Sequence, residues 1–318
     1  MAGFFLEIRK GGYSSTAARE KRMFMLDLLI PTVAQGLLWA IMALGVYVTF
    51  RVLDIADLTV EGSFPLGGAT AAAMLAAGWS SEAALAAACA AGIMAGIVTG
   101  FLHTKMKIPA LLAGILTMIA LYSVNLRIMG KANLSLLGVD TVFKIVRDAV
   151  GLNSAETTLA VGFAATLVVG CLLYWFFGTE IGSAIRATGF NQQMIRAQGV
   201  DTDRTIILGL LLSNGLVAVS GALVAQSNGF ADVGMGTGTI VIGLASVIIG
   251  EVLFGTRSFK NCLISVVLGS VAYRIVIAAV LALGMPPNDL KLFTSVLVAL
   301  ALSMPLLKAK LSFRKVVK

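Results

Sequence analysis

The chain has 318 residues, of which 58% are hydrophobic and 13% are charged, and its mean hydropathy is +0.94. Soluble domains carry about a quarter charged residues, so too little polar surface remains here to cover a globule. A soluble enzyme, a secreted disulfide scaffold and a disordered chain are excluded, which leaves an all-α polytopic membrane protein.

Residues 1–27 form a basic tail with no apolar core long enough for a cleavable signal peptide. From residue 28 the chain reads as one transmembrane domain, 28–307, closed by a basic tail at 308–318. A membrane helix needs about 20 mostly apolar residues. Charge-free runs predict about nine spans, with eight to ten as the range: Leu28–Phe50, Gly62–Ser81, Ala83–Thr104, Ile108–Leu126, Thr157–Thr179, Thr205–Ala231, Val233–Gly250, Asn261–Asn288 (broken only by Arg274) and Leu292–Leu307. Along the third span Gly92, Gly96 and Gly100 recur every four residues, a spacing that lets helix backbones approach closely in lipid. This marks a packing seam.

The net charge of +8 reflects Lys and Arg gathered in loops, where cytoplasmic segments collect them. No nucleic-acid partner is expected. With the tail Lys308, Lys310, Arg314, Lys315 and Lys318 inside, the loops bearing Arg257/Lys260, Arg186/Arg196/Arg204 and Lys105/Lys107 all fall inside too. Loops 229–236 and 284–289 hold no Lys or Arg and fall outside. Nine crossings place residues 1–27 outside, against their basic character. They also place loop 130–152 outside, which carries Lys131, Lys144 and Arg147 offset by Asp140 and Asp148. Either 51–81 is a re-entrant pair or the tail is a weak topogenic signal, and nine crossings are the preferred reading.

No phosphate-cradling GxxxxGK[ST] is present, and Gly234–Thr239 (GMGTGT) lacks dinucleotide spacing. Cys89, Cys171 and Cys262 have no CxxC or Cys/His neighbour, and His103 lies by itself at a helix end. No catalytic residue, metal site or cofactor of this chain's own is expected. The longest basic loop, 178–204, carries three basic and three acidic residues. Ser183–Ala197 is compatible with one helix, which Gly199 can end, and Asp201 or Thr202 can cap the next. Such a short, neutral helix suits docking on a protein rather than on lipid headgroups.

GLLWAIMALGVYVTFRVLDIADLTVEGSFPLGGA (36–69), AIRATGFNQQMIRAQGVDTDR (184–204) and GLLLSNGLVAVSGALVAQSNGFADVGMGTGTIVIGLASVIIGE (209–251) resemble the permease subunits of bacterial ABC importers of the branched-chain amino acid and ribose type. Within that family the pattern is most similar to amino-acid permeases of the tryptophan/tyrosine type. The turn Ile55–Ser63 matches the family's I-D-L-S-V-G-S-like turn, with Glu61 inserted or substituted. The resemblance implies a vitamin B12 importer-like permease fold with broken helices in the inner membrane. It also implies a second copy as homodimer partner, a separate ABC ATPase that holds ATP and Mg, and an extracytoplasmic substrate-binding protein. The cargo implied is a small polar solute such as an amino acid. Carried over by position, Arg186, Ala187, Gly189, Asn191, Met194, Arg196 and Gly199 would form the coupling helix that the ATPase grips. The alternative is a stand-alone secondary transporter or channel, which leaves that loop without a purpose.

Ionisable groups inside spans are costly and mark function by default. Arg274, beside Tyr273, either meets a substrate carboxylate or forms a structural pair with Asp289 or Glu251. Asp57 and Glu61 sit in irregular backbone, which is tolerated only when buried in protein or wetted, and are assigned to the interior or the cytoplasmic gate. Asn125 with Arg127, and Gln226 with Asn228 and Asp232, end helices at the outer face. They either shape the entrance for a loaded binding protein or are solvated helix ends. Glu251, at a cytoplasmic helix end, either pairs with Arg257 or snorkels.

Overall fold

The computed structural model describes residues 15–286, 289, 290, 292–300 and 303, with side chains from residue 28 onward. The expected span Leu292–Leu307 and both basic tails lie wholly or partly outside these residues. Helix α1 (Ser15–Tyr47) runs into a π-helical turn, Val48–Val52, and then loses regular structure from Leu53 to Thr59. There follow α2 (Val60–Ala76), α3 (Ser81–Thr104), α4 (Ala110–Met129), a short strand β1 (Asn133–Ser135) and α5 (Val142–Val150). Next come α6 (Ser154–Phe177), the short pair α7 (Glu180–Phe190) and α8 (Gln192–Ala197), and the long α9 (Thr202–Asn228). Strand β2 (Phe230–Asp232), a 3-10 turn (Val233–Gly236), α10 (Thr239–Phe254) and α11 (Phe259–Ala282) complete the sequence of elements.

The helix starts follow ordinary capping chemistry. Asn153 and Glu156 form a reciprocal capping box on α6, and the Asp201 carboxylate accepts from the Asp203 and Arg204 N–H groups at the head of α9. Helix α9 is the central post, packed on α1, α2 and α3. The expected glycine seam faces it. A Cβ at Gly92 would lie 2.4 Å from the Asn214 carbonyl oxygen, and one at Gly96 would lie 2.5 Å from that of Leu210. Hydroxyl groups tie the helices laterally: Ser213 donates to the Gly45 carbonyl, Ser220 to Leu38 (both 2.7 Å), and Ser270 to Gly36 (2.9 Å). With no water in the bilayer core, such bonds and close backbone packing do what hydrophobic burial does in soluble proteins.

The two ends of the bundle are distinct. At one end β1 pairs antiparallel with β2, with Leu134 opposite Ala231, and joins the ends of α4 and α9. At the other, Lys105 and Lys107 of the α3–α4 turn reach Asp203 at the start of α9. The segment 53–76 passes between these ends. Val52 packs on Gly189 at the second end, and Leu75 clusters with Leu136 and Val233 beside the β1–β2 ribbon.

Seven helical stretches among the described residues are long and apolar enough to cross a membrane, against the nine expected. The expected span Gly62–Ser81 is helical only over Val60–Ala76. Its 17 residues rise only about 26 Å at about 1.5 Å each, short of the roughly 30 Å apolar thickness. The rest of that passage is the irregular segment 53–59, so the run is neither an unbroken span nor a surface loop.

Candidate functional site

The irregular segment lies inside the bundle, and its polar groups are satisfied there. Asp57 is 3% exposed. Its Oδ1 accepts the Thr59 N–H (2.9 Å), and its Oδ2 accepts Nδ2 of Asn214 (2.8 Å). The Asn214 Oδ1 in turn accepts the Ser63 hydroxyl (2.7 Å), while its Nδ2 also reaches the Leu210 carbonyl (3.0 Å). The Thr59 hydroxyl meets that of Thr99 (2.8 Å), which donates to Thr117 (3.0 Å). One buried network therefore joins the start of α2 to α3, α4 and α9. Gly114 makes the approach of α4 possible, since a Cβ there would fall 2.8 Å from the Leu58 nitrogen. From Thr202 to Asn214 α9 rises about 18 Å, so the network sits well inside the span. Discontinuous helices that meet at such depth are a recurring way to build a solute site in transporters.

Two further expected residues gather around the first turn of α2. Asn125, expected at the outer face, is fully buried and donates to the Gly62 carbonyl (3.2 Å); its own Oδ1 is buried without a partner. Helix α4 packs along α2 there, which is why the residue is covered. The Glu61 Oε1 accepts the Gly238 N–H (3.1 Å) at the head of α10, where the helix dipole favours an anion. Gly236 permits this contact: a Cβ there would collide with the Glu61 carbonyl at 2.0 Å.

The remaining expected residues lie apart from this centre. Gln226 is buried, accepts the Val142 N–H (3.0 Å) and so ties the start of α5 to α9; its Nε2 has no partner. Asp232 closes its own turn by accepting the Gly234 N–H (2.6 Å) and faces Asn133 across the ribbon (3.4 Å). Glu251 pairs with neither Arg257 nor Arg274. It forms a two-pronged ion pair with Arg51 at the end of α1, with Nε to Oε1 at 2.8 Å. Arg274 makes no ion pair to Asp289 or to any carboxylate among the described residues; its guanidinium lies 4.2 Å from the Trp39 ring centroid.

The 178–204 segment holds two helices rather than one. Asn191 is extended (φ −157°), and its side chain accepts the Met194 N–H (3.0 Å), which ends α7 and starts α8. Such side-chain capping competes with helix continuation. A Cβ at Gly189 would lie 1.9 Å from the Val52 carbonyl oxygen, so only glycine lets α7 rest on the end of α1. Arg186 covers the Phe259 ring at 5.3 Å. Arg196 binds the Thr202 hydroxyl (2.5 Å) and Asp203 (3.3 Å), and Gly199 (φ +87°) turns the chain after α8. Ala187 is half-buried. These residues fasten the segment to the bundle. The apolar side chains that project away are Ile181, Met194 and Phe190, the last 90% exposed. Phe190, Asn214, Thr99, Thr117 and Trp39 escape a reading of sequence alone. An amide inside a long apolar run marks Asn214, whereas nothing local marks the others.

Residues 28–302 match the protein family described as "Branched-chain amino acid transport system / permease component". The chain is 40% identical over 270 residues to a tyrosine transport system permease protein of Clostridioides difficile (strain R20291), covering 85% of this chain and 88% of that one. It is 34% identical over 282 residues to an uncharacterized protein of Rickettsia prowazekii (strain Madrid E), covering 87% and 98%. It is 26% identical over 217 residues to an autoinducer 2 import system permease protein of Salmonella typhi, covering 67% and 59%. No solved structure matches.

Proposed function

We propose, from the premise that this chain belongs to the family of branched-chain amino acid transport system permease components, that it is the membrane subunit of an ATP-driven ABC importer for an amino acid. It is a multi-pass protein of the bacterial inner membrane, and its family is one of permeases rather than catalysts. Two copies form the pathway in a vitamin B12 importer-like arrangement. Each docks one ATPase, which holds ATP and Mg, and a substrate-binding protein delivers the solute from outside. The 40% identical tyrosine-system permease supports an amino acid as cargo.

One observation carries the coupling: α7 rests on the carbonyl of Val52, immediately before the irregular segment 53–59 that holds Asp57. Movement of an ATPase that grips Phe190 and Met194 would pass through Gly189 into that segment and from there into the Asp57–Asn214 network. Asp54, with φ +55°, gives the segment a non-helical joint. The linkage is a two-state element biased by nucleotide. The buried Asp57 carboxylate favours a second reading, an ion-coupled transporter working alone.

Proteoliposomes discriminate the two. Uptake of L-tyrosine should need a partner ABC ATPase, ATP on the ATPase side and a substrate-binding protein outside. Phe190→Asp should reduce ATPase co-purification by about tenfold or more, since it puts a charge into an apolar contact worth a few kcal/mol. Uptake driven by an ion gradient without the ATPase would establish the second reading instead.

A further inference from the structure

We propose that Arg274, seated on Trp39, is the carboxylate-binding group of the translocation path, so that the solute carried is a carboxylic acid, with an amino acid as the fitting class. This rests on the importer reading above and adds the residue that recognises cargo. A cation on a transmembrane helix costs several kcal/mol or more unless it is paired or wetted. Two internal counter-ions suggest themselves in the sequence, and neither serves. Glu251 is paired with Arg51, and among the described residues neither Asp289 nor any other carboxylate forms an ion pair with Arg274.

The position argues against snorkelling to lipid. Ser270, one turn before Arg274 on α11, bonds to the Gly36 carbonyl of α1 (2.9 Å), so this face of α11 lies on α1. The guanidinium then lies over Trp39 of α1, whose ring is 5.0 Å from that of Phe64 in the first turns of α2. Phe64 is fully buried. Arg274 thus points between α1 and α2 toward the interior of the bundle rather than toward lipid. Its Nε is buried without a partner, while the residue as a whole keeps partial exposure. A planar fork of N–H donors placed over an aromatic ring can take a carboxylate two-pronged. The Trp39 face holds the fork by cation–π attraction and offers its border to an apolar or aromatic side chain.

The test uses Trp39 as its own reporter. The chain has three tryptophans, and Trp79→Phe with Trp175→Phe, both exposed positions, leaves Trp39 alone. Titration of this protein in nanodiscs with L-tyrosine should change Trp39 emission saturably, and tyramine, which lacks the carboxylate, should not. Arg274→Gln should weaken the response by about a hundredfold, as truncating a buried charged partner does, and Arg274→Lys should retain part of it. Should Arg274→Gln fail to assemble, Trp39→Leu keeps the cation, and its half-saturation in ATP-driven uptake should rise by roughly threefold to thirtyfold. Equal responses to L-tyrosine and tyramine, no response to either, or unchanged uptake by both variants would overturn the assignment. ATP-driven uptake that ignores Arg274 removes this site and leaves the importer reading intact. A Trp39 response in a chain that transports without an ATPase does the reverse.

Discussion

Removing the amide of Asn214 strands several groups at once. The Asp57 Oδ2 and the Ser63 hydroxyl both depend on it, and all three residues are buried. A buried group left without its partner costs about 1–3 kcal/mol, and more for a charge. Asn214→Leu should therefore destabilise the purified protein by about 3 kcal/mol or more, read as a large fall in melting temperature in detergent. Asn125→Leu should cost about 1 kcal/mol or less, because it gives up one bond to the Gly62 carbonyl and also removes an Oδ1 that has no partner. Equal losses would mean that the Asp57 network does not hold α2. The contrast also shows how far single residues can be read from sequence. Asp57 lies in irregular backbone, as the sequence of the Ile55–Ser63 turn led one to expect, whereas Glu61, expected there too, sits in the first turn of α2. The partner of Asp57 is 157 positions away, and no local pattern names it. Glu251 is the same case: Arg257 is near in sequence, but the π-helical end of α1 brings Arg51 to it.

At the scale of elements, the joint between α7 and α1 is tighter than a sequence can show. Small residues at 182, 184, 187 and 189 are compatible with a helix, and the composition of 183–197 gives no reason to break it. The break at Asn191 follows from tertiary demand, since α7 must lie with Gly189 on Val52 while α8 turns back so that Arg196 reaches Thr202 and Asp203. Gly189→Ala places a carbon 1.9 Å from the Val52 oxygen, a distance no relaxed contact adopts, so the joint must open. Phe190 and Met194 remain available. The expected outcome is near-normal co-purification of the ATPase with solute-stimulated ATP hydrolysis lowered by about tenfold or more, the scale of a misplacement of about 1 Å in a positioned assembly. Loss of co-purification together with activity would place Gly189 in the docking surface itself and remove its role as a transmitter.

Across the whole molecule, apolar side chains dominate the outward faces of α3, α4 and α6, among them Met94, Phe101, Leu112, Ile119, Phe163 and Leu167. Contiguous apolar surface of that extent belongs against lipid or a second copy. Hydropathy makes this shell legible in the sequence, because spans of about 20 apolar residues have few alternatives. It does not reveal that α2 is short and enters late, since seven non-helical residues cost nothing in composition when the bundle supplies their hydrogen bonds. The sidedness is the remaining global property, and the two ends of the bundle allow it to be tested directly. Leu137, beside the β1–β2 ribbon, and Gln193, on α8, are both exposed and at opposite ends. In a background with Cys89, Cys171 and Cys262 replaced, Leu137→Cys should react with an impermeant maleimide in intact spheroplasts. Gln193→Cys should react only after the membrane is opened, because Lys105, Lys107 and Arg196 cluster at its end and basic residues stay on the cytoplasmic side. The reverse pattern would put α7 and α8 beyond the reach of any cytoplasmic ATPase.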